Sequence, residues 1–103
     1  MIRHIVMWRV SGDTTAENIA ARDRVVRAFE SLRGRIPGMV HLEVGVDISA
    51  TDYASDLILV SDFISQAALT SYADHPEHQR VRRELGNLRV SRNQVDYEIH
   101  KSP

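Results

Sequence analysis

Residues 2–10 alternate in a way that only an extended chain can use. Ile2, His4, Val6, Trp8 and Val10 share one face, and Arg3, Ile5, Met7 and Arg9 share the other. β-Branched and aromatic side chains dominate the run, so a strand is expected here. Ser11-Gly12-Asp13 is a turn signal, and Thr14 followed three residues later by Glu17 is a capping box. A helix should therefore start at Thr14. Ile19, Val26, Phe29 and Leu32 recur at helical spacing toward Gly34, the expected C-terminal cap.

Ile36-Pro37-Gly38 breaks the chain, and residues 39–48 then alternate again. Val40, Leu42, Val44, Val46 and Ile48 oppose Met39, His41, Glu43, Gly45 and Asp47, the pattern of a half-buried strand. After a polar loop over residues 49–55, Leu57 to Phe63 is apolar on both faces and reads as a more central strand. Ser65 can cap a short helix carrying Ala68, Leu69 and Tyr72. Pro76 suits the first turn of another helix, which continues through Val81 and Leu85. Val95, Tyr97 and Ile99 alternate with Asp96, Glu98 and His100 in a last strand, with Asp96 on its wet-facing register. The order is β-α-β-β-α-β with the second helical region split. The expected fold class is α+β, ferredoxin-like: a four-stranded antiparallel sheet with helices on one face. The other face would keep apolar side chains from the first and third strands. Leaving them in water costs roughly 25 cal/mol per Å², so a symmetric partner covering that face, a homodimer, is expected.

Composition narrows the function. The 103 residues form a single domain, with 43% hydrophobic and 26% charged residues. Thirteen basic against fourteen acidic residues give a net charge of −1, which argues for neither nucleic acid nor an anionic membrane as partner. Only Lys101 among the basic residues is a lysine; the rest are arginines, several interleaved with Asp and Glu as on solvated helix faces. Apolar runs are too short to span a bilayer, and Met1-Ile2-Arg3-His4 does not open a secretory signal, so a cytoplasmic location is expected. No cysteine is present, which removes thiolate catalysis and Cys-type metal sites.

The stretch Tyr72-Ala73-Asp74-His75-Pro76-Glu77-His78 is the most informative for chemistry. Pro76 puts His75 at a helix cap and His78 in the first turn, where the positive end of the helix dipole disfavours the imidazolium. A neutral imidazole suits proton acceptance, and Asp96 is a candidate to orient it. By residue type alone, local capping is the simpler role for both histidines. His4 interrupts an apolar face, as a hydrogen-bonded core histidine does more often than a ligand. Tyr72 is a proton donor or a half-core residue, and Trp8 and Phe29 are most simply core. His75 and His78, three apart, lack a metal-binding pattern, and no phosphate loop or serine elbow occurs, so neither metal nor cofactor is expected.

Taken together, the chain resembles the stress-responsive A/B barrel (Dabb) family. The likeness rests on Met1 to Trp8, Ile36-Pro37-Gly38, Glu43 to Asp47, Ser55 to Phe63, Tyr72 with His75-Pro76-Glu77-His78, and Val95-Asp96-Tyr97. The resemblance implies a dimeric α+β barrel. The family includes stress proteins of unsettled activity and a polyketide cyclase, olivetolic acid cyclase, that performs a cofactor-free aldol condensation. Carried over by position, His78 is the acid/base, Asp96 its orienting partner and Tyr72 a third catalytic group. His4, Trp8, Phe29, Leu57 and His75 are then expected to line the substrate pocket. At Phe29 and Leu57 the sequence departs from that cyclase, which has a tyrosine and a histidine there. Three functions follow as expectations: a binding or protective dimer of unsettled activity with a pocket for a small apolar carbonyl compound, a cofactor-free lyase or cyclase, and, from fold analogy alone, a cofactor-free monooxygenase.

Overall fold

The computed structural model describes residues 1–99; His100 and Lys101, named above, lie outside them. The elements are β1 (Ile2–Val10), α1 (Thr15–Glu30), β2 (Met39–Val46), β3 (Leu57–Phe63), α2 (Gln66–Ala73), α3 (Pro76–Leu85) and β4 (Arg89–Glu98). The strands form one antiparallel sheet in the order β2-β3-β1-β4. This is the ferredoxin-like arrangement, with its second helix broken in two. No helix among the described residues is long and apolar enough to cross a membrane.

Local signals set the helix ends. The Glu17 N–H donates to Thr14 Oγ1 at 3.1 Å, and Glu17 Oε2 accepts from the Asp13 N–H at 2.9 Å, a capping box displaced by one residue. Ser65 Oγ accepts from the Ala68 N–H at 3.1 Å. α1 stops at Glu30, four residues short of Gly34; tight i→i−3 turns carry the chain on through Leu32, which is fully buried.

All three helices cover one sheet face. Ala21, Val25, Ala28 and Phe29 of α1, Leu69 and Tyr72 of α2, and Val81 and Leu85 of α3 pack on Val6, Trp8 and Val10 of β1 and on Leu57, Leu59 and Phe63 of β3. The α1 stripe corrects the sequence pattern. Ile19 is 56% exposed because it precedes Ala21 by two residues, about 200° around the helix. The small residues Ala21 and Ala28, not Ile19, complete the buried face. The β2 alternation also fails at both ends. A bulge between Met39 and His41 turns Val40 outward, and Ile48 lies beyond the strand, 98% exposed.

The opposite sheet face carries Ile5 and Met7 of β1, Ile58 and Val60 of β3, and Val95 and Tyr97 of β4, opposed in register. At one end of this face, Arg3 Nε and Nη2 donate to the two oxygens of Asp62, at 2.8 and 3.0 Å. Among the described residues no helix covers these apolar side chains, and Val95 and Tyr97 are exposed.

Truncation of the two α1 positions should separate the buried face from the wet one. Phe29→Ala is expected to cost about 3–5 kcal/mol, and Ile19→Ala no more than about 0.5 kcal/mol, read from urea denaturation midpoints.

Candidate functional site

The pairing of β1 with β4 places His4 opposite Asp96, Val6 opposite Gln94 and Trp8 opposite Arg92. These six residues share the helix-side face, because directly opposed residues in an antiparallel pair point the same way. β4 is an edge strand whose helix side is only partly covered, which is why its inward register is polar. Asp96 therefore lies on the helix side of the sheet, partly exposed, while Val95 and Tyr97 face out. His4 Nδ1–H donates to Asp96 Oδ1 at 2.6 Å. Gln94 Nε2 donates to Asp96 Oδ2 at 3.0 Å, and Arg92 Nη2 donates to Gln94 Oε1. The carboxylate thus orients His4, not His78 as the sequence led us to expect.

His78 is positioned by the α2–α3 corner. Pro76 occupies the first turn of α3, and the ring of His78 folds back so that Nδ1–H donates to the Ala73 carbonyl at 3.2 Å. Its ring lies 4.4 Å from that of Tyr72, centroid to centroid, and the His4 ring is 6.3 Å from that of Tyr72. In both histidines the Nδ1 proton is committed to an oxygen, leaving Nε2 as the basic nitrogen of the neutral ring. Tyr72 is 3% exposed, and its hydroxyl has no hydrogen-bond partner among the described residues; the same holds for the buried Ser61 hydroxyl, on the residue paired with His4 across β1 and β3. Buried polar groups are seldom left unpaired.

Electrostatics divide the roles. Burial pushes the Tyr72 phenol well above its usual range, so it remains a neutral donor. Burial chiefly, then the guanidinium groups of Arg82, Arg89 and Arg92, lower the His78 pKa from its ordinary 6.5, against the hydrogen bond to Ala73. The direction is the one argued from the helix terminus; burial and arginines supply it here.

A cleft of about 410 Å³ is lined by His4, Tyr72, His78, Arg92, Gln94 and Asp96, among others. Beside it lies a hollow of about 330 Å³ bordered by Trp8, Arg82 and Arg89, which shares His78 and Arg92 with the cleft. The Trp8 ring stacks on Phe29 at 4.8 Å, and the Arg89 guanidinium lies 5.3 Å from the Trp8 ring. Four residues expected to line the pocket do not line the cleft, Trp8 among them, which borders only the adjoining hollow. Phe29 is buried against Trp8. Leu57 is a core residue, bordering only a hollow on the opposite sheet face. His75 caps α3, its Nδ1 accepting the Glu77 N–H at 3.1 Å. Gln94, Arg92, Arg89 and Arg82 went unnoticed as site residues. Gln94 and Arg92 share the i, i+2 face of Asp96, a signal that became readable once β4 was known to turn that face inward. Among the described residues no group of three or more His, Asp or Glu side chains could hold a metal ion.

Two expectations follow. Tyr72→Phe removes a buried hydroxyl that has no partner, and should stabilise the fold by about 1 kcal/mol, read as a rise in denaturation midpoint. For His78, the unfolded chain takes up a proton near the ordinary value while the folded chain resists it. The stability of the neutral ring is present above that value and lost as the pH falls through the folded one. His78→Gln should flatten the stability profile between roughly pH 7 and 5, measured by urea melts across that range.

The stress responsive A/B barrel domain model matches residues 2–99. No curated protein matches the sequence. Among solved structures, a dimeric protein of unknown function and ferredoxin-like fold from Bacteroides fragilis is 28% identical, with a TM-score of 0.83 over 95% of each chain. The hydroxynitrile lyase of Passiflora edulis is 18% identical, with a TM-score of 0.78 over 98% of this chain and 94% of its own. An antibiotic biosynthesis monooxygenase is 13% identical, with a TM-score of 0.72 over 98% and 100%. These last two show a shared fold, and their different activities leave the reaction of this chain unassigned. With the family model spanning nearly the whole chain and the split-helix sheet in place, the protein belongs to the stress responsive A/B barrel domain family.

Proposed function

We propose that the cleft binds a small carbonyl compound and catalyses proton transfer at the carbon next to the carbonyl, the common step of aldol-type lyases and cyclases. The single observation behind this reading is the buried Tyr72 hydroxyl, unpartnered among the described residues, on a ring near two imidazoles whose Nδ1 atoms are both tied to oxygens. A substrate carbonyl oxygen is the natural acceptor for that hydroxyl. His78 Nε2 takes the α-proton, the C–H electron pair moves into the enolate, and the oxygen of the enolate strengthens its hydrogen bond to Tyr72 as charge develops. The imidazolium then returns the proton to carbon, or to the new alkoxide once the enolate has attacked a second carbonyl. His4, held by Asp96 and lining the same cleft, is the second base near the phenol. The lowered pKa of His78 and the raised pKa of Tyr72 keep both in the required protonation state at neutral pH.

Solvent exchange tests this without knowledge of the substrate. In deuterated buffer, the protein should speed deuterium incorporation at the methyl group of acetophenone-type ketones, followed by proton NMR. His78→Ala should lose about 100-fold or more of that rate. The wild-type rate should climb with pH through the lowered His78 value and then stay level through neutrality. Exchange no faster than in buffer, with binding retained, would instead identify a binding dimer without turnover.

The uncovered sheet face supports a homodimer. Solved relatives from Bacteroides fragilis, Thermobifida fusca and Jannaschia are dimeric. A second copy laid on Ile5, Met7, Ile58, Val60 and Val95 would remove from water the apolar surface that this chain leaves open. Met7→Glu would place charge at the centre of that contact, and should convert the dimer to a monomer in sedimentation velocity runs.

A further inference from the structure

We propose that the natural ligand carries an anionic oxygen group, carboxylate or phosphate, seated among Arg82, Arg89 and Arg92 in the hollow beside the cleft; this rests on the carbonyl-site reading above. Arg3, Arg22, Arg33, Arg35 and Arg80 are each held by a carboxylate. Arg82, Arg89 and Arg92 have none among the described residues; Arg9, Arg24, Arg27 and Arg83 have none there either, but Arg82, Arg89 and Arg92 line one hollow together, and no acidic side chain lines it. Three guanidinium groups converging without a counter-ion repel one another, and one of them, Arg89, is half-buried. Arg89 is also held in place, its guanidinium 5.3 Å from the Trp8 ring and 5.5 Å from the Phe29 ring. Burial and the other two arginines lower its pKa, the mark of a cation whose surroundings lack negative charge.

The placement suits one bifunctional ligand. The arginine hollow and the cleft share His78 and Arg92, so the two spaces adjoin at the base. A ligand whose anion is gripped by guanidinium groups, which match carboxylate and phosphate oxygens bidentately, would have its body over Trp8 and its carbonyl directed to Tyr72. The anion would also offset the arginine charge around His78 and raise the affinity of that ring for the α-proton.

Three matched acetophenones test the proposal by isothermal titration: 4-acetylbenzoate, 4-acetylphenyl phosphate and neutral 4-acetylbenzamide. Wild type should bind at least one of the two anions about tenfold or more tighter than the amide, and added salt should shrink the gap. Which anion binds more tightly separates a carboxylate from a phosphate ligand. In the double variant Arg82→Gln, Arg92→Gln the preference should fall to about twofold; in the single variant Arg82→Gln, at a residue that borders the hollow but not the cleft, it should fall with amide affinity unchanged. Both side chains lie at the surface, so the fold is kept, and Arg82→Gln alone provides a second reading. Tyr72→Phe should weaken all three ligands alike. Equal affinity for anions and amide in wild type, or a preference that survives in the double variant, overturns the anion site and leaves the carbonyl reading standing. Anion binding that depends on the arginines but not on Tyr72, with no amide binding, keeps the anion site and overturns the carbonyl reading. No binding of any of the three overturns both.

Discussion

The antiparallel register between β1 and β4 is the constraint on which the site depends. It sets His4 against Asp96 and Trp8 against Arg92, so that a central strand full of core residues meets an edge strand full of polar ones. A slip of one residue would turn Val95 and Tyr97 toward the helices and carry Asp96 to the open face, because side chains alternate strictly along a strand. The 2.6 Å bond from His4 to Asp96 links the two strands at the point where the α2–α3 corner delivers Tyr72 and His78. The sheet supplies one imidazole and the helices the other.

Around this corner the chain departs from what a purely structural protein would choose. The Tyr72 hydroxyl is buried unsatisfied, and three arginines share a hollow without a carboxylate. Each arrangement costs stability, by lost hydrogen bonding in one case and by like-charge repulsion in the other. Elsewhere the helix caps are filled, and Arg3, Arg22 and Arg80 are paired. The unpaired phenol and the three arginines adjoin one concave region, which is what motivates the proposed ligand site.

The two faces of β1 meet different demands. Its inward residues, Val6, Trp8 and Val10, build the core with Phe29 and Leu59, and its outward residues, Ile5 and Met7, form the middle of an uncovered apolar surface. Because the candidate site lies on the helix side, a second copy on the open face would leave it accessible. The outward register would serve assembly and the inward one chemistry.

Much of this architecture could be read from residue patterns. The alternation of β1, the capping signals at Thr14 and Ser65 and the proline that opens α3 are local features, decided by backbone geometry and nearest neighbours. The element order then pointed to the ferredoxin-like sheet, and the family model agrees. Among the chemical residues, Tyr72, His78, His4 and Asp96 were all visible, but not their partnerships. Asp96 and His4 are 92 positions apart, and only strand register, which depends on the whole sheet, says that they touch. The same holds for the caps and the core: His75 spends its nitrogen on Glu77, and Phe29 and Leu57 are sealed inside, because helix packing rather than residue type decides which side chains meet a cavity. Residue type and spacing determined which groups this chain could bring to a reaction; tertiary packing decided which of them face one another, since contact between distant residues is a property of the folded sheet and not of any window of sequence.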